Sequence, residues 1–467
     1  MSDIIEQLRS ILGPGGVLLG DDISCRSVSF WDDRSIEAKA IVRPRNTKEV
    51  SEIMKLCHSC GQVVVPQGGR TNLVEACLSR PDDIILSLER MNTIIQIDRD
   101  NSSTIVEGGL ILQTLHESLD QHELIFPLDF GARGSCTIAG AIATNAGGTM
   151  VLKYGMTKNL VLGLEVVLAN GVIINGMQHF LKNNTGYDLN SLFCGSEGTL
   201  GIITKAVLRL WDKPKSCCTA LVACNSFKKV SELLRFFQSS MGGGLSSYEV
   251  MWKDYYRLNA ETLTPNTAPL STDYDYYVLM EYQGGDQNVD GTLFSTSLEQ
   301  AFENELIVDG VVAKTEAERI QLWDIRDNPE PLETRYDSWA CFDISLKISD
   351  MEEFLNSLKT TIDSQYSRNE IYTYGHLGDG NLHIAIWVES IEDSFIHAVE
   401  SIVYTELRQY SGSISAEHGI GLEKRQWLEF SRSPEEIDLM RAIKKMMDPD
   451  GILNPGKILA HENNISE

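Results

Sequence analysis

The sequence predicts an α+β chain, with a glycine-rich first half and a separate sheet-and-helix unit in the second. Three observations point there. "AKAIVRPRNTKEVSEIMKLCHSCGQVVVPQGG" runs from an apolar strand through a capped helix to a second apolar strand, a βαβ-like unit. Three glycine clusters in the first half each abut a strand. From about Ser216 the composition shifts to long strand patterns, "CCTALVACN" and "YDYYVLMEYQG", separated by helices such as "SFKKVSELLRFFQSS".

Each element follows from local chemistry. Residues 1–35 read as a short helix and an irregular lead-in. Residues 36–213 hold the βαβ-like unit and the strands around "TIVEGGLILQTL" and "LVLGLEVVLANGVII". Residues 214–421 form the second unit, and 422–467 a helical tail. In that tail "SPEEIDLMRAIKKMMDP" has Ser433 as N-cap, Pro434 at N1 and Glu436 at N3, and "DPDGILNPGK" stops the helix.

Composition narrows the function classes. The 467 residues carry 66 acids against 40 Lys plus Arg, a formal charge of −26, which repels phosphate backbones and argues against nucleic acid as a partner. A carboxylate substrate therefore needs a locally placed Arg or Lys. The N-terminus has neither a signal-peptide nor a transit-peptide pattern, and no stretch approaches the ~20 apolar residues of a membrane span. The expectation is a cytoplasmic protein without an integral membrane segment. The ten cysteines lack framework spacing and read as reduced thiols. Cys57 and Cys60 form a CxxC, but on a helical pattern and without a second pair, so they read as buried helix cysteines.

No GxGxxG occurs, which argues against the usual dinucleotide turn. The near-P-loop from Gly451 to Gly456-Lys457 ends in Ile458, where a Mg²⁺-binding hydroxyl would be required. The three clusters "VVVPQGGRTNLV", "GARGSCTIAGAIATNAGG" and "GSEGTLGIITKAVLRL" are different. Each could be a tight turn. Together, beside strands, they suit close backbone approach to a large phosphorylated cofactor.

"PQGGRTNLV", "PLDFGARGSCTIAGAIATNAGG" and "NNTGYDLNSLFCGSEGTLGIIT" resemble the flavin-binding domain of the vanillyl-alcohol oxidase superfamily. With "GHLGDGNLH" and "SAEHGIG" the chain resembles its D-2-hydroxyglutarate and D-lactate dehydrogenase branch, which includes bacterial glycolate oxidase subunits. The resemblance spans about Ile41 to Lys457. It implies a two-part FAD-binding domain completed by the C-terminal helices, and a cap domain of antiparallel sheet and helices over the isoalloxazine. The implied FAD contacts are Pro66, Gly68, Gly69, Arg70, Thr71 and Asn72; Pro127, Gly134, Ser135, Gly140, Thr144, Asn145, Gly147 and Gly148; Glu197, Gly198 and Ile203; and Asn454. Some members attach flavin to a histidine in the first loop. Here that loop reads Gly69-Arg70-Thr71-Asn72, so non-covalent FAD is expected.

In "YGHLGDGNLHI" Asp379-Gly380 suits a two-residue type I′ turn, which would place His376 directly opposite His383. Two imidazoles so placed can share a metal, or simply stack on a half-exposed hairpin. In "SISAEHGIGLEK" Glu417 and His418 fall where a strand would turn into a loop, a turn that Gly419 and Gly421 permit. His₂Glu is a zinc set that leaves a position open. The resemblance assigns His376, His383 and Glu417 to a divalent metal, expected to be Zn²⁺, and His418 to catalysis as base, with hydride passing to flavin N5. It gives Arg326 of "QLWDIRDN" to the substrate carboxylate and adds Asn381 as a substrate contact. The branch carries a lysine two residues before the Asp of a "KYDxS"-like strand. This chain reads "ACFDISLK", with Cys341 there. The expected reaction is oxidation of a D-2-hydroxy acid, first of all D-2-hydroxyglutarate. D-lactate or glycolate is the alternative that Cys341 favours, and a zinc hydrolase or a non-catalytic flavin protein are others. The implied acceptor is a quinone or an electron-transfer flavoprotein, and a homodimer is the expected assembly.

Overall fold

The computed structural model describes residues 4–264, 267–336, 338–389 and 395–460. The chain divides into two compact units. The first comprises Met1–Gly148, Gly155–Lys213 and Glu417–Glu467, the second Thr149–Tyr154 and Pro214–Ala416.

The first unit opens with the helix Ile4–Leu12, whose Ile5, Leu8 and Leu12 are buried. Strands β1 (Val17–Leu18), β2 (Ala40–Val42), β3 (Val64–Gln67) and β4 (Ile84–Ser87) form one sheet in the order β1-β2-β4-β3. The helix Thr47–Cys60 joins β2 to β3. Asn46 caps its start by accepting the Glu49 N–H, and Gly61 ends it at φ 66°. The βαβ-like unit is real, but its two strands are not neighbours: each pairs in parallel with β4, which lies between them. Of the CxxC pair, Cys57 is buried and Cys60 is exposed, so the expectation of two buried thiols holds for one.

A second sheet of the same unit contains β5 (Ile94–Asp98), β6 (Ser103–Glu107), β8 (Val161–Val167), β9 (Ile173–Asn175) and β10 (Ile202–Arg209), in the order β5-β6-β10-β8-β9. The short β7 (Leu124–Ile125) pairs with β11 (Trp211–Asp212). The tail helix Pro434–Met447 carries the full capping box of Ser433 and Glu436. Beyond it, Leu453 bridges Val64 of β3, so the tail returns to the first sheet.

The second unit is built on a seven-stranded antiparallel sheet. Its strands are β12 (Ser216–Cys224), β13 (Leu245–Trp252), β14 (Tyr276–Gly284), β15 (Asp309–Val312), β16 (Ala340–Ser345), β17 (Asn369–His376) and β18 (Asn381–Val388). They run in the order β15-β12-β14-β13-β17-β18-β16. One face buries Met251, Tyr277, Leu279, Tyr372 and Ala385 against Tyr255 and Tyr256 of helix Lys253–Leu263 and Leu322 and Ile325 of helix Glu316–Asp327. Alternating side chains on these strands make that face continuous. Sheets that are antiparallel apart from the β2-β4-β3 pairing, together with helices, bear out the α+β class.

Candidate active site

In the first unit, a cavity of about 380 Å³ is lined by the three glycine-rich segments and by Glu417 and His418. The segments approach closely because side chains are missing where backbone meets backbone. A Cβ on Gly69 would lie 1.9 Å from the Ser135 carbonyl oxygen. Gly421, at φ 53°, passes Val74 so tightly that its Cβ would fall 1.8 Å from that residue's oxygen. Glu197 secures the same turn from the other side. Its carboxylate accepts the N–H groups of Ile420 (2.7 Å) and Gly421 (2.8 Å), and its carbonyl accepts Asn454 Nδ2 at 2.8 Å. Burial pushes the Glu197 carboxyl's pKa up, and the two N–H donors oppose that rise.

Of the expected cofactor contacts, Pro66, Gly68, Gly69, Arg70, Thr71, Asn72, Gly140, Thr144, Gly147, Gly148, Glu197, Gly198 and Ile203 line this cavity. Five others do not line it. Asn145 Oδ1 accepts the Lys158 N–H, Asn454 ties Ala76 to Glu197, and Ser135 backs Gly69. Gly134 closes a 3-10 turn, and Pro127 is buried. Trp31, Phe130 and Ala146 also line the cavity, and sequence reasoning missed them. A wall of glycine, alanine and threonine with backbone polar groups fits a large flat nucleotide better than a small metabolite.

Glu417 and His418 belong to no strand; the expected strand end is a single bridge between Ser413 and Ser345. Gly419, at φ 86°, makes the turn. The Glu417 carboxylate accepts the Gly148 N–H at 2.8 Å, against Gly147, whose Cβ would come within 2.2 Å of it.

In the second unit the hairpin departs from the expected two-residue turn. Tyr374, not His376, pairs with His383, and Leu377–Asp379 forms a 3-10 turn closed by Gly380 at φ 84°. A type I′ turn needs positive φ at both central residues, and Asp379 does not supply it. The register has moved by two, so both histidines still share a face. Their ring centroids lie 5.3 Å apart.

Neighbouring strands supply carboxylates to that face. Glu249 of β13 stands opposite His376, and its Oε1 lies 2.9 Å from His376 Nδ1. With the Nδ1 hydrogen donated to Glu249, the ring's lone pair is on Nε2, the tautomer a metal ligand requires. Asp343 of β16 stands opposite His383, 3.8 Å from its Nδ1. Glu249 also holds Arg326, at 2.7 Å from Nη2 and 3.0 Å from Nε. Arg326 is buried, contacts Asp327 at 3.2 Å and places its guanidinium 4.9 Å from the Tyr374 ring centre. Burial alone would raise the Glu249 carboxyl's pKa; its contacts with His376 and the Arg326 guanidinium outweigh that and lower it. Tyr255 stacks on Tyr374 at 4.0 Å, and its hydroxyl donates to the Arg326 carbonyl at 2.8 Å, fixing the helix that carries the arginine.

Asn381 Nδ2 donates to Asp343 Oδ1 at 2.8 Å, while its buried Oδ1 finds no hydrogen-bond partner among the described residues. Such an acceptor is suited to a ligand donor. Cys341 lies two residues from Asp343 on the same face, opposite Ala385. Glu249 escaped the sequence reading. The one signal was a lone acid inside the otherwise apolar and small strand "LSSYEVMW".

Comparison with known proteins assigns these features to a family. Residues 213–458 match the C-terminal domain of FAD linked oxidases, and residues 38–176 an FAD binding domain. This chain belongs to the FAD-linked oxidase family. It is 38% identical to the mitochondrial D-2-hydroxyglutarate dehydrogenase of Danio rerio, across 97% of this chain and 84% of that one. It is 33% identical to the D-2-hydroxyglutarate dehydrogenase of Stutzerimonas stutzeri, across 98% and 99%. In fold it resembles p-cresol methylhydroxylase solved with substrate bound, with a TM-score of 0.78 at 16% identity over 99% of this chain and 97% of that one. The expected vanillyl-alcohol oxidase type of fold is thereby borne out. The FAD binding domain match falls in the unit carrying the glycine clusters, whose cavity lining suits a large flat nucleotide.

Proposed function

We propose that this chain oxidises a D-2-hydroxy acid to the 2-oxo acid, with D-2-hydroxyglutarate as first candidate, using non-covalently held FAD and a divalent metal, Zn²⁺ foremost. The observation that carries the proposal is the histidine pair on one sheet face, with His376 oriented by a buried carboxylate. Support for the substrate comes from relatives named for D-2-hydroxyglutarate over nearly the whole chain.

His376, His383 and Glu417 would hold the metal: two imidazoles and a carboxylate make a set that suits zinc. Chain connectivity supports the third member. Ala416 donates its N–H to Asp343 (3.1 Å to Oδ2), the residue paired with His383, and Glu417 follows it directly. When bound, the metal supplies Lewis acidity toward the α-hydroxyl, and FAD supplies the hydride acceptor. His418 accepts the hydroxyl proton as general base. Arg326 contributes the positive charge for the substrate carboxylate, held in place by Glu249 and Asp327, and Asn381 Oδ1 accepts from the substrate. Electrons leave to a quinone or an electron-transfer flavoprotein. A cytoplasmic homodimer completes the reading.

A second reading has one specific observation behind it. Cys341 brings a thiol, not a cation, to the face bearing His383, which favours a D-2-hydroxy acid with a small uncharged side chain such as D-lactate, or glycolate.

The metal assignment is tested by metal content. His376→Ala and His383→Ala should each purify yellow and lose stoichiometric zinc. Retention of one zinc per chain in both would overturn the assignment.

A further inference from the structure

The segment before the first parallel strand reads in the sequence as an irregular lead-in. In the structure it is a tethered loop. Ser27 and Ser35 form an antiparallel bridge, and the Val28 N–H donates to Arg34 O at 2.9 Å. Val28 and Ile36 anchor its base in a small core with Ile23, Ile41 and Ile85. Three bonds then fasten the loop to the first glycine-rich segment. The Phe30 N–H donates to Arg70 O at 3.0 Å, Arg70 Nη1 donates to Ser27 O at 2.7 Å, and Arg34 Nη2 pairs with Glu75 at 2.7 Å. Arg70 itself is held at φ 59°, a conformation uncommon for a non-glycine residue.

The tip of this loop carries two adjacent aromatics with different placements. Phe30 is 72% exposed and lies off the cavity wall, whereas Trp31, 53% exposed, lines the cavity. Among the lining residues the only other large aromatic is Phe130; most of the rest are small or aliphatic. An indole fixed at the edge of a cavity of this kind presents a flat apolar surface where a flat heterocycle can stack.

We propose that the Ser27–Ser35 loop is a clamp on the bound flavin nucleotide, with Trp31 stacking against one of the two ring systems of FAD. The clamp rests on the chain's membership of the FAD-linked oxidases and adds to it a residue that sets how tightly the cofactor is kept. The loop depends on Arg70, so the segment that cradles the nucleotide also holds the residue that covers it.

The test is FAD affinity of the full chain. Apoprotein is titrated with FAD and flavin fluorescence is followed. Trp31→Ala should raise Kd roughly tenfold and Trp31→Phe by less, the scale of one lost ring stack. Phe30→Ala, which removes only the ring packed edge-on against Trp31 at 5.0 Å, should raise Kd less than Trp31→Ala. Thermal midpoints of the apoproteins show whether the loop is intact; if Trp31→Ala melts early, Trp31→Phe decides. A shifted visible flavin band in the variant places the indole against the isoalloxazine, and weaker binding with an unchanged band places it against the adenine; both support the clamp. Wild-type Kd in both Trp31 variants overturns it. Wild-type apoprotein that takes up no FAD would contradict the cofactor assignment itself, and the clamp with it.

Discussion

Glu249 is the residue on which the second unit's chemistry turns. Its carboxylate is 1% exposed and serves His376 and Arg326 together, so one side chain orients an imidazole and holds a buried guanidinium in place. Replacing it with a neutral amide leaves Arg326 short of a counter-charge, which costs about 3–5 kcal/mol. Glu249→Gln should therefore lower the unfolding free energy by that order and weaken zinc binding ~10–100-fold, the usual cost of losing a carboxylate behind a metal-bound histidine. Urea unfolding and zinc titration measure the two effects separately. Loss of stability with unchanged zinc affinity would reduce Glu249 to a structural partner of Arg326.

At the scale of elements, two contacts carry the first unit's architecture. The first is the meeting of the Gly68–Gly69 loop with Ser135 and Cys136. Gly69→Ala puts a Cβ 1.9 Å from a carbonyl oxygen, where backbone must move. The expected outcome is protein that purifies with little or no FAD, read from the ratio of flavin absorbance to protein absorbance. The second is Glu89, just after β4, which receives Arg26 and Arg43 at 2.8 Å each and so joins the lead-in to β2. Burial would raise its pKa, but the hydrogen bonds from Arg26 and Arg43, and their charges, bring it from 4.5 to about 2. A carboxylate with a lowered folded-state pKa stabilises fully above its unfolded value, and that contribution fades as pH falls through the folded one. Glu89→Gln should accordingly lower Tm at neutral pH and flatten its acid slope between about pH 4.5 and 2. An identical acid slope in the variant would contradict this.

Over the whole molecule, what could be read in advance follows the range of the interactions. The tail helix was legible because its capping box lies within four consecutive residues, and the glycine clusters because backbone contact leaves no alternative to glycine. Long-range pairing was not. Nothing in the strand around Ile41 or the one around Val65 announces that β4 will come between them. The hairpin was misread by two residues because Asp379-Gly380 suits a tight turn as well as a 3-10 turn. A shift of two keeps the face, so the two histidines still share it. Glu249 was invisible for the same reason: it acts on His376 and Arg326, both distant in sequence.

In the proposed reaction a D-2-hydroxy acid reduces the flavin of this chain with help from a metal held by His376 and His383. Its most direct test is anaerobic mixing of the purified yellow protein with D-2-hydroxyglutarate, with the flavin band near ~450 nm followed in time. D-2-hydroxyglutarate should bleach the native protein's flavin rapidly, with bleaching lost after chelation, recovered when Zn²⁺ is restored, and absent in His376→Ala. Undiminished bleaching in the chelated protein and in His376→Ala would contradict it.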